Sequence, residues 1–177
     1  MSVANKLKAL PGHTKITLVV AVVLFVALLI VNQPLKTASA PQGIVSFQLA
    51  GTAAHAQGIL RSWQAEGIAW AKASLWLDLV FVPAYLLLLV QLTQQLTKDR
   101  PGVRERIGAR WIYTLFLMAG LSDTAENILL LNNFDPPTDM ISLTATILSL
   151  AKFTGLILGA AGLVVIRAAR RHPLVND

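Results

Sequence analysis

The sequence predicts an all-α integral membrane protein: a four-helix bundle with an additional amphipathic interfacial helix between spans 1 and 2. Its 177 residues are 55% hydrophobic and only 14% charged, with a mean hydropathy of +0.62. A soluble domain of this length needs more polar surface to stay in solution. No polar stretch is long enough to build a second domain, so we expect residues 1–177 to form a single membrane domain.

Four apolar segments predict the spans, at about residues 15–32, 68–97, 111–131 and 141–166. The first could instead be a secretory signal peptide, because its start is basic and Ala38-Ser39-Ala40 resembles a cleavage site. Pro41 follows that site directly and disfavours cleavage. We therefore expect the first segment to be a helix that the protein retains.

The segment 44–66 differs from the spans because polar side chains alternate with apolar ones at helical spacing. This pattern predicts an amphipathic helix that rests on the outer membrane surface or caps the bundle. Gly51 and Gly58 disfavour one unbroken helix, since glycine weakens helix interiors.

Lysine and arginine are distributed very unevenly between the two sides of the predicted spans. Eleven flank the side that holds both termini and the loop 98–110, and three (Lys36, Arg61 and Lys72) flank the other side. The positive-inside rule then predicts that both termini are cytoplasmic. This distribution accounts for the net charge of +6 without a nucleic-acid partner. We expect an integral protein of a bacterial inner membrane. The chain contains no cysteine, which excludes disulfides, thiolate metal sites and a cysteine nucleophile.

Asp78, Asp123, Glu126 and Lys152 are the charged residues that lie well within the predicted spans. Each costs about 2.5–3.5 kcal/mol at mid-span on an insertion scale, so each should face inward and find a partner. At 1.5 Å per residue, they lie about 15, 13, 9 and 18 Å from the outer ends of their spans. Three helices therefore bring charge to a similar depth.

Spacing along each helix places these charges beside other polar groups. Asp123, Glu126 and Asn127 share one face, and Asp78 and Tyr85 lie two turns apart on another. On the fourth span, small and polar residues form a stripe in which glycines permit close helix contact. The sequence thus predicts one ligand-binding or proton-carrying cluster: Asp78, Tyr85, Asp123, Glu126, Asn127, Ser149 and Lys152. Because three carboxyl groups face one ammonium, we expect one carboxyl group to hold a proton at rest.

A purely structural role is the alternative, with Asp78–Lys152 as one satisfied ion pair that holds the helices together. Intramembrane charge more often marks a functional site, and three acids exceed what one lysine needs. The spacing of Ser149 and Lys152 also allows a serine–lysine nucleophile, but neighbouring carboxylates would keep the lysine protonated. No residue set has convincing metal-ligand spacing, so we expect neither a metal nor a cofactor.

Three strings of the sequence occur together: Phe47-Gln48-Leu49-Ala50-Gly51-Thr52, Leu77-Asp78 with Pro83-Ala84-Tyr85, and Asp123-Thr124-Ala125-Glu126-Asn127. In them the chain resembles small four-helix bacterial integral membrane proteins of unassigned function, over residues 44 to about 155. The resemblance implies no activity. Claudin-like and microsomal glutathione-transferase-like proteins share only the four-span form, since the claudin cysteine pair and the arginine-rich glutathione-binding pattern are absent.

These features favour a membrane-embedded binding or transport-related protein whose cluster takes up a proton, a cation or an amphipathic small molecule. Two alternatives stay open: an intramembrane enzyme that acts on a lipid or isoprenoid through a carboxylate acid/base, and a structural subunit of a membrane complex. The expected partners are the lipid bilayer and a lipid or amphipathic ligand, with a homo-oligomer or membrane complex as further options.

Overall fold

The computed structural model describes residues 11–97 and 103–169, which form helices and no strand. The helices are α1 (Gly12–Val31), α2 (Ile44–Gln48), α3 (Ala53–Thr97), α4 (Val103–Leu131) and α5 (Asp139–Ala169), with a 3-10 turn at Gln33–Leu35. α1, α3, α4 and α5 are each long and apolar enough to cross a membrane. For the described residues, the prediction of an all-helical fold with four helices long and apolar enough to span a membrane is therefore confirmed.

The predicted span limits differ from the observed helices mainly at their polar ends. α4 begins at Val103, eight residues before the predicted start at 111, because the charged stretch before Trp111 contains good helix formers. α5 begins at Asp139, whose carboxylate suits a helix N-terminus. Several basic residues of the orientation count lie outside the described residues: Lys6, Lys8, Lys98, Arg100, Arg170 and Arg171.

The prediction of one amphipathic helix over 44–66 is wrong in its continuity. The chain forms the short helix α2, leaves helical geometry around Gly51, where φ is +71°, and re-enters a helix at Ala53. That helix runs on into the second span, broken only at Gln64, where φ is 55° and ψ is −169°. The positive φ at Gly51 suits glycine, whereas at Gln64 it strains a residue that carries a Cβ. Residues 33–63, the cap of the molecule, are therefore built from several short pieces.

The cap is fixed to the ends of the long helices by an apolar core and by specific hydrogen bonds. Phe47 and Trp63 are both buried, with ring centroids 5.6 Å apart, and the Trp63 indole Nε1 donates to the Leu35 carbonyl at 2.7 Å. The backbone N–H of Ala53 donates to Asp139 Oδ1 at 2.6 Å. A side chain at the start of α5 thus caps the start of α3.

α4 and α5 pack closely because glycines on α5 leave room for α4. A Cβ at Gly155 would lie 3.0 Å from the Leu115 carbonyl oxygen, and a Cβ at Gly159 would overlap the Phe116 ring. The predicted role of these glycines in close helix contact is therefore confirmed. This approach brings polar groups on the two helices within hydrogen-bonding distance.

α1 is attached to the rest of the molecule along one side only. It packs against α3, and among the described residues it makes no extensive contact with α4 or α5. Two of its links to α3 are polar, from Gln95 Nε2 to Thr14 Oγ1 at 2.7 Å and from Gln91 Nε2 to Thr17 Oγ1 at 3.3 Å. α1 is therefore held to the other long helices mainly through α3.

Candidate functional site

Three helices each contribute polar side chains to one level of the molecule, as the sequence predicts. α3 carries Asp78 and Tyr85, α4 carries Asp123, Glu126 and Asn127, and α5 carries Ser149 and Lys152. The structure connects all seven through hydrogen bonds and ion pairs. We call these seven residues the polar cluster.

Lys152 lies at the α4–α5 interface and contacts two carboxylates. Its Nζ is 3.0 Å from Asp123 Oδ1 and 2.7 Å from Glu126 Oε2. Ser149, one turn before Lys152, donates its hydroxyl to Glu126 Oε1 at 2.6 Å. Glu126 is completely buried and Lys152 is only 5% exposed, so this pair has little solvent to replace either partner. Separating it would be costly.

Asp123 is the centre of the cluster because it accepts hydrogen bonds from all three helices. Besides Lys152, the Tyr85 hydroxyl donates to its Oδ2 at 2.9 Å and Asn127 Nδ2 donates to its Oδ1 at 3.3 Å. The same Asn127 amide nitrogen donates to Asp78 Oδ2 at 3.0 Å. Tyr85 and Asn127 therefore couple α3 to the ion pair between α4 and α5.

The Asp78–Lys152 ion pair that the structural alternative predicted is not formed. Lys152 contacts Asp123 and Glu126, and Asp78 receives its hydrogen bond from the neutral amide of Asn127. The sequence placed both residues at a similar depth, but the rotation of α5 about its axis points the ammonium toward α4. Asp78 is left as a half-buried carboxyl group without a cationic partner among the described residues.

A cavity of about 460 Å³ lies beside the cluster, and α1, α2, α3 and α5 supply most of its lining. Its size is within the range of small-molecule pockets. Apolar side chains dominate the wall, with Phe25 from α1, Phe81 from α3 and Phe153 from α5 among them. Phe25 of α1 and Phe153 of α5 are both exposed, at 50% and 39%. The cavity is therefore lined by side chains that the packing of the helices does not bury.

The polar cluster divides into residues that face this cavity and residues that lie behind them. Asp78, Tyr85, Asp123 and Lys152 line the cavity, and the other three, Glu126, Asn127 and Ser149, are completely buried. The cavity thus combines apolar walls with one polar region, an arrangement that can hold an amphipathic molecule in a fixed orientation.

Nothing in the sequence pattern indicated that α1 forms part of a site. α1 is apolar on all sides, so nothing in its pattern distinguishes the residues that face the cavity, such as Leu28, from those that face lipid, such as Val23. The way in which α1 packs against α3 decides which of its residues face the cavity.

The geometry does not favour a serine–lysine nucleophile. The Ser149 hydroxyl donates to Glu126, and Lys152 is held by two carboxylates, so no neutral amine is available to take the serine proton. Within the described residues, no group of three or more potential metal-binding side chains comes together.

The chain was compared with family models, with curated proteins and with solved structures, and none matches it.

Proposed function

We propose that this protein binds an amphipathic small molecule inside the membrane, with its apolar part in the cavity and its polar head at the cluster. The proposal rests on one observation: the cavity is lined by phenylalanine and leucine side chains and also by Asp78, Tyr85, Asp123 and Lys152. A purely structural cluster would not need to face an open space. Hydrogen-bonding groups at the bottom of an apolar pocket are typical of sites that orient a ligand.

The lack of extensive contact between α1 and α5 among the described residues supports entry from the bilayer. A molecule dissolved in lipid could pass between these helices without crossing the polar ends of the spans. α1 has few buried side chains and contacts mainly α3 and the cap, so no extensive packing holds it against α5.

For the membrane arrangement we propose a four-helix bundle with both termini in the cytoplasm and the cap on the outer surface. The uneven distribution of lysine and arginine supports this orientation. Because the chain lacks cysteine, single-cysteine labelling tests it directly. Ser39→Cys in the cap should react with an impermeant maleimide on intact cells, and Arg106→Cys at the start of α4 should react only after lysis. The reverse pattern would overturn the orientation.

Blocking the cavity tests the binding proposal. Leu88 lines the cavity, and its neighbour Leu87 faces outward and is 52% exposed. Leu88→Trp should fill the space, whereas Leu87→Trp changes the same residue type on the lipid-facing side and serves as the control. Both proteins would be purified and examined by native mass spectrometry with lipidomics.

We expect a molecule to copurify with the wild type and with Leu87→Trp, and to be lost from Leu88→Trp. The opposite result would be that neither the wild type nor a variant carries any molecule, and that added single-chain amphiphiles bind the wild type no better than Leu88→Trp. The cluster would then have a structural role only.

A further inference from the structure

The charges that face the cavity are not balanced. Asp78, Asp123 and Lys152 are the charged residues in its lining, and Glu126 lies directly behind Lys152. Lys152 is already bound to Asp123 and Glu126, so its positive charge is shared between two carboxylates. With every group ionised, the region would carry an excess of negative charge, so without an occupant we expect one carboxyl group to hold a proton. An occupant that brings positive charge would take the place of that proton.

Asp78 is the carboxyl group best placed to receive that charge. Its Oδ2 accepts a hydrogen bond from Asn127, and its carboxyl group also lies within hydrogen-bonding range of Asp123. Asp78 is half-buried, lies in the cavity wall and forms no ion pair with the described residues. A cationic donor in the cavity could therefore contact two adjacent carboxyl groups.

Aromatic rings continue from Asp78 along the cavity wall. Phe81 lies one turn from Asp78 on the same helix face, and its ring centroid is 6.1 Å from that of Phe25 and 5.1 Å from that of Tyr85. Aromatic faces attract ammonium groups through their quadrupole. In the same cavity, the Lys152 ammonium lies 4.9 Å from the centroid of Phe153, between two carboxylates. The protein thus already holds one ammonium in this combination of rings and acids.

From this charge imbalance and the row of rings we infer that the ligand is an amphipathic amine whose ammonium binds Asp78 beside Phe81, with its hydrocarbon part along the apolar wall. The inference rests on the proposed function and adds the chemical class of the head group. A carboxylate or phosphate head would meet Asp78 and Asp123 with like charge, and Lys152 would not be free to neutralise it.

Three probes with the same tail and different heads test this inference: dodecylamine, which is protonated at neutral pH, dodecanol and dodecanoate. Binding would be measured on the full-length protein in nanodiscs of zwitterionic lipid by isothermal titration calorimetry, because Leu88→Trp itself adds a tryptophan to the cavity. Leu88→Trp is assayed in parallel, so that only binding in the cavity is counted. We expect dodecylamine to bind at least tenfold more tightly than dodecanol, and dodecanoate most weakly.

Asp78→Asn keeps the shape of the side chain and removes its charge. It should reduce the affinity for dodecylamine by about tenfold, equivalent to about 1.4 kcal/mol, and leave the affinity for dodecanol unchanged. Glu66→Gln removes a carboxylate from an exposed position near the cap and should change neither affinity. The wild-type order of the three heads tests the inference even if Asp78→Asn does not fold.

The two proposals fail in different ways. If all three probes bind in the cavity but dodecanol or dodecanoate binds as tightly as dodecylamine, the amine inference is overturned and the binding proposal stands. An unchanged amine affinity in a folded Asp78→Asn protein overturns it as well. If none of the probes binds in a way that Leu88→Trp abolishes, both proposals fall.

Discussion

Removing the positive charge of Lys152 should destabilise the protein more than any other single change at the cluster. Lys152→Met keeps most of the volume of the side chain and removes its ammonium. Asp123 and Glu126, which are 3% and 0% exposed, would then lie close together without a counter-charge. Ser149 could satisfy one oxygen of Glu126 but could not neutralise it.

The distances set the scale of the effect. At 2.7 and 3.0 Å, an effective dielectric constant of about 20 gives about 6 kcal/mol of attraction for each contact before desolvation. Burying each ion costs several kcal/mol, so the intact group contributes little net stability. Removing one partner forfeits the attraction but leaves the desolvation of the others. We therefore expect a loss of about 3–5 kcal/mol in the free energy of unfolding.

Equilibrium unfolding in mixed micelles, titrated with sodium dodecyl sulfate and followed by tryptophan fluorescence, measures this loss. Lys36→Met, at an exposed position of the cap, is the control and should change stability by less than about 0.5 kcal/mol. Combining Lys152→Met with Glu126→Gln should recover part of the loss, with a coupling energy of about 0.5–3 kcal/mol. A loss below about 1 kcal/mol together with zero coupling would refute the assignment of Lys152 as the ion that joins α4 to α5.

Three further predictions concern the backbone and the protons of the cluster. Gln64→Gly should stabilise the protein by about 1–3 kcal/mol because it relieves the strained φ of 55°. The control Gln57→Gly, in the regular helix, should destabilise it by about 0.5–1 kcal/mol. Equal effects of the two changes in chemical denaturation would contradict this. Gly159→Ala should cost about 1–3 kcal/mol because its methyl group overlaps Phe116, but Gly58→Ala meets open space and should gain up to about 1 kcal/mol in the same assay. Infrared spectroscopy should detect a buried protonated carboxyl band that at least one amide variant of the three cluster acids removes, and a wild type without any such band would show that all three acids are ionised.

Much of the fold could be predicted from local properties of the chain. Hydropathy located the four long helices, because an uninterrupted apolar run long enough to cross the hydrocarbon core is typical of a membrane-spanning helix. Spacing along single helices grouped the cluster, because residues three, four or seven apart must share a face. All seven predicted cluster residues are joined in the structure, although whether they bind a ligand stays a prediction.

The cap shows where local pattern was not enough. Its apolar periodicity predicted one helix, but the chain leaves helical geometry at Gly51 and again at Gln64. Glycine allows the first break, whereas the second falls on a residue that carries a Cβ, directly after the buried Trp63, whose indole binds the Leu35 carbonyl 28 residues away in sequence. Packing between distant segments can hold a backbone conformation that the residue itself disfavours.

The sequence by itself determined that the chain has four helices long and apolar enough to cross a membrane, and that polar residues of three of them come together in one cluster. The rotation and lean of the packed helices decided the rest. The close packing of α4 against glycines of α5 directs Lys152 toward Asp123 and Glu126. Asp78 then receives its hydrogen bond from Asn127 and not from the lysine. The lean of α1 against α3 opens the cavity. Neither can be predicted from one helix at a time, because a helix face gains its partner only when the neighbouring helix is in place.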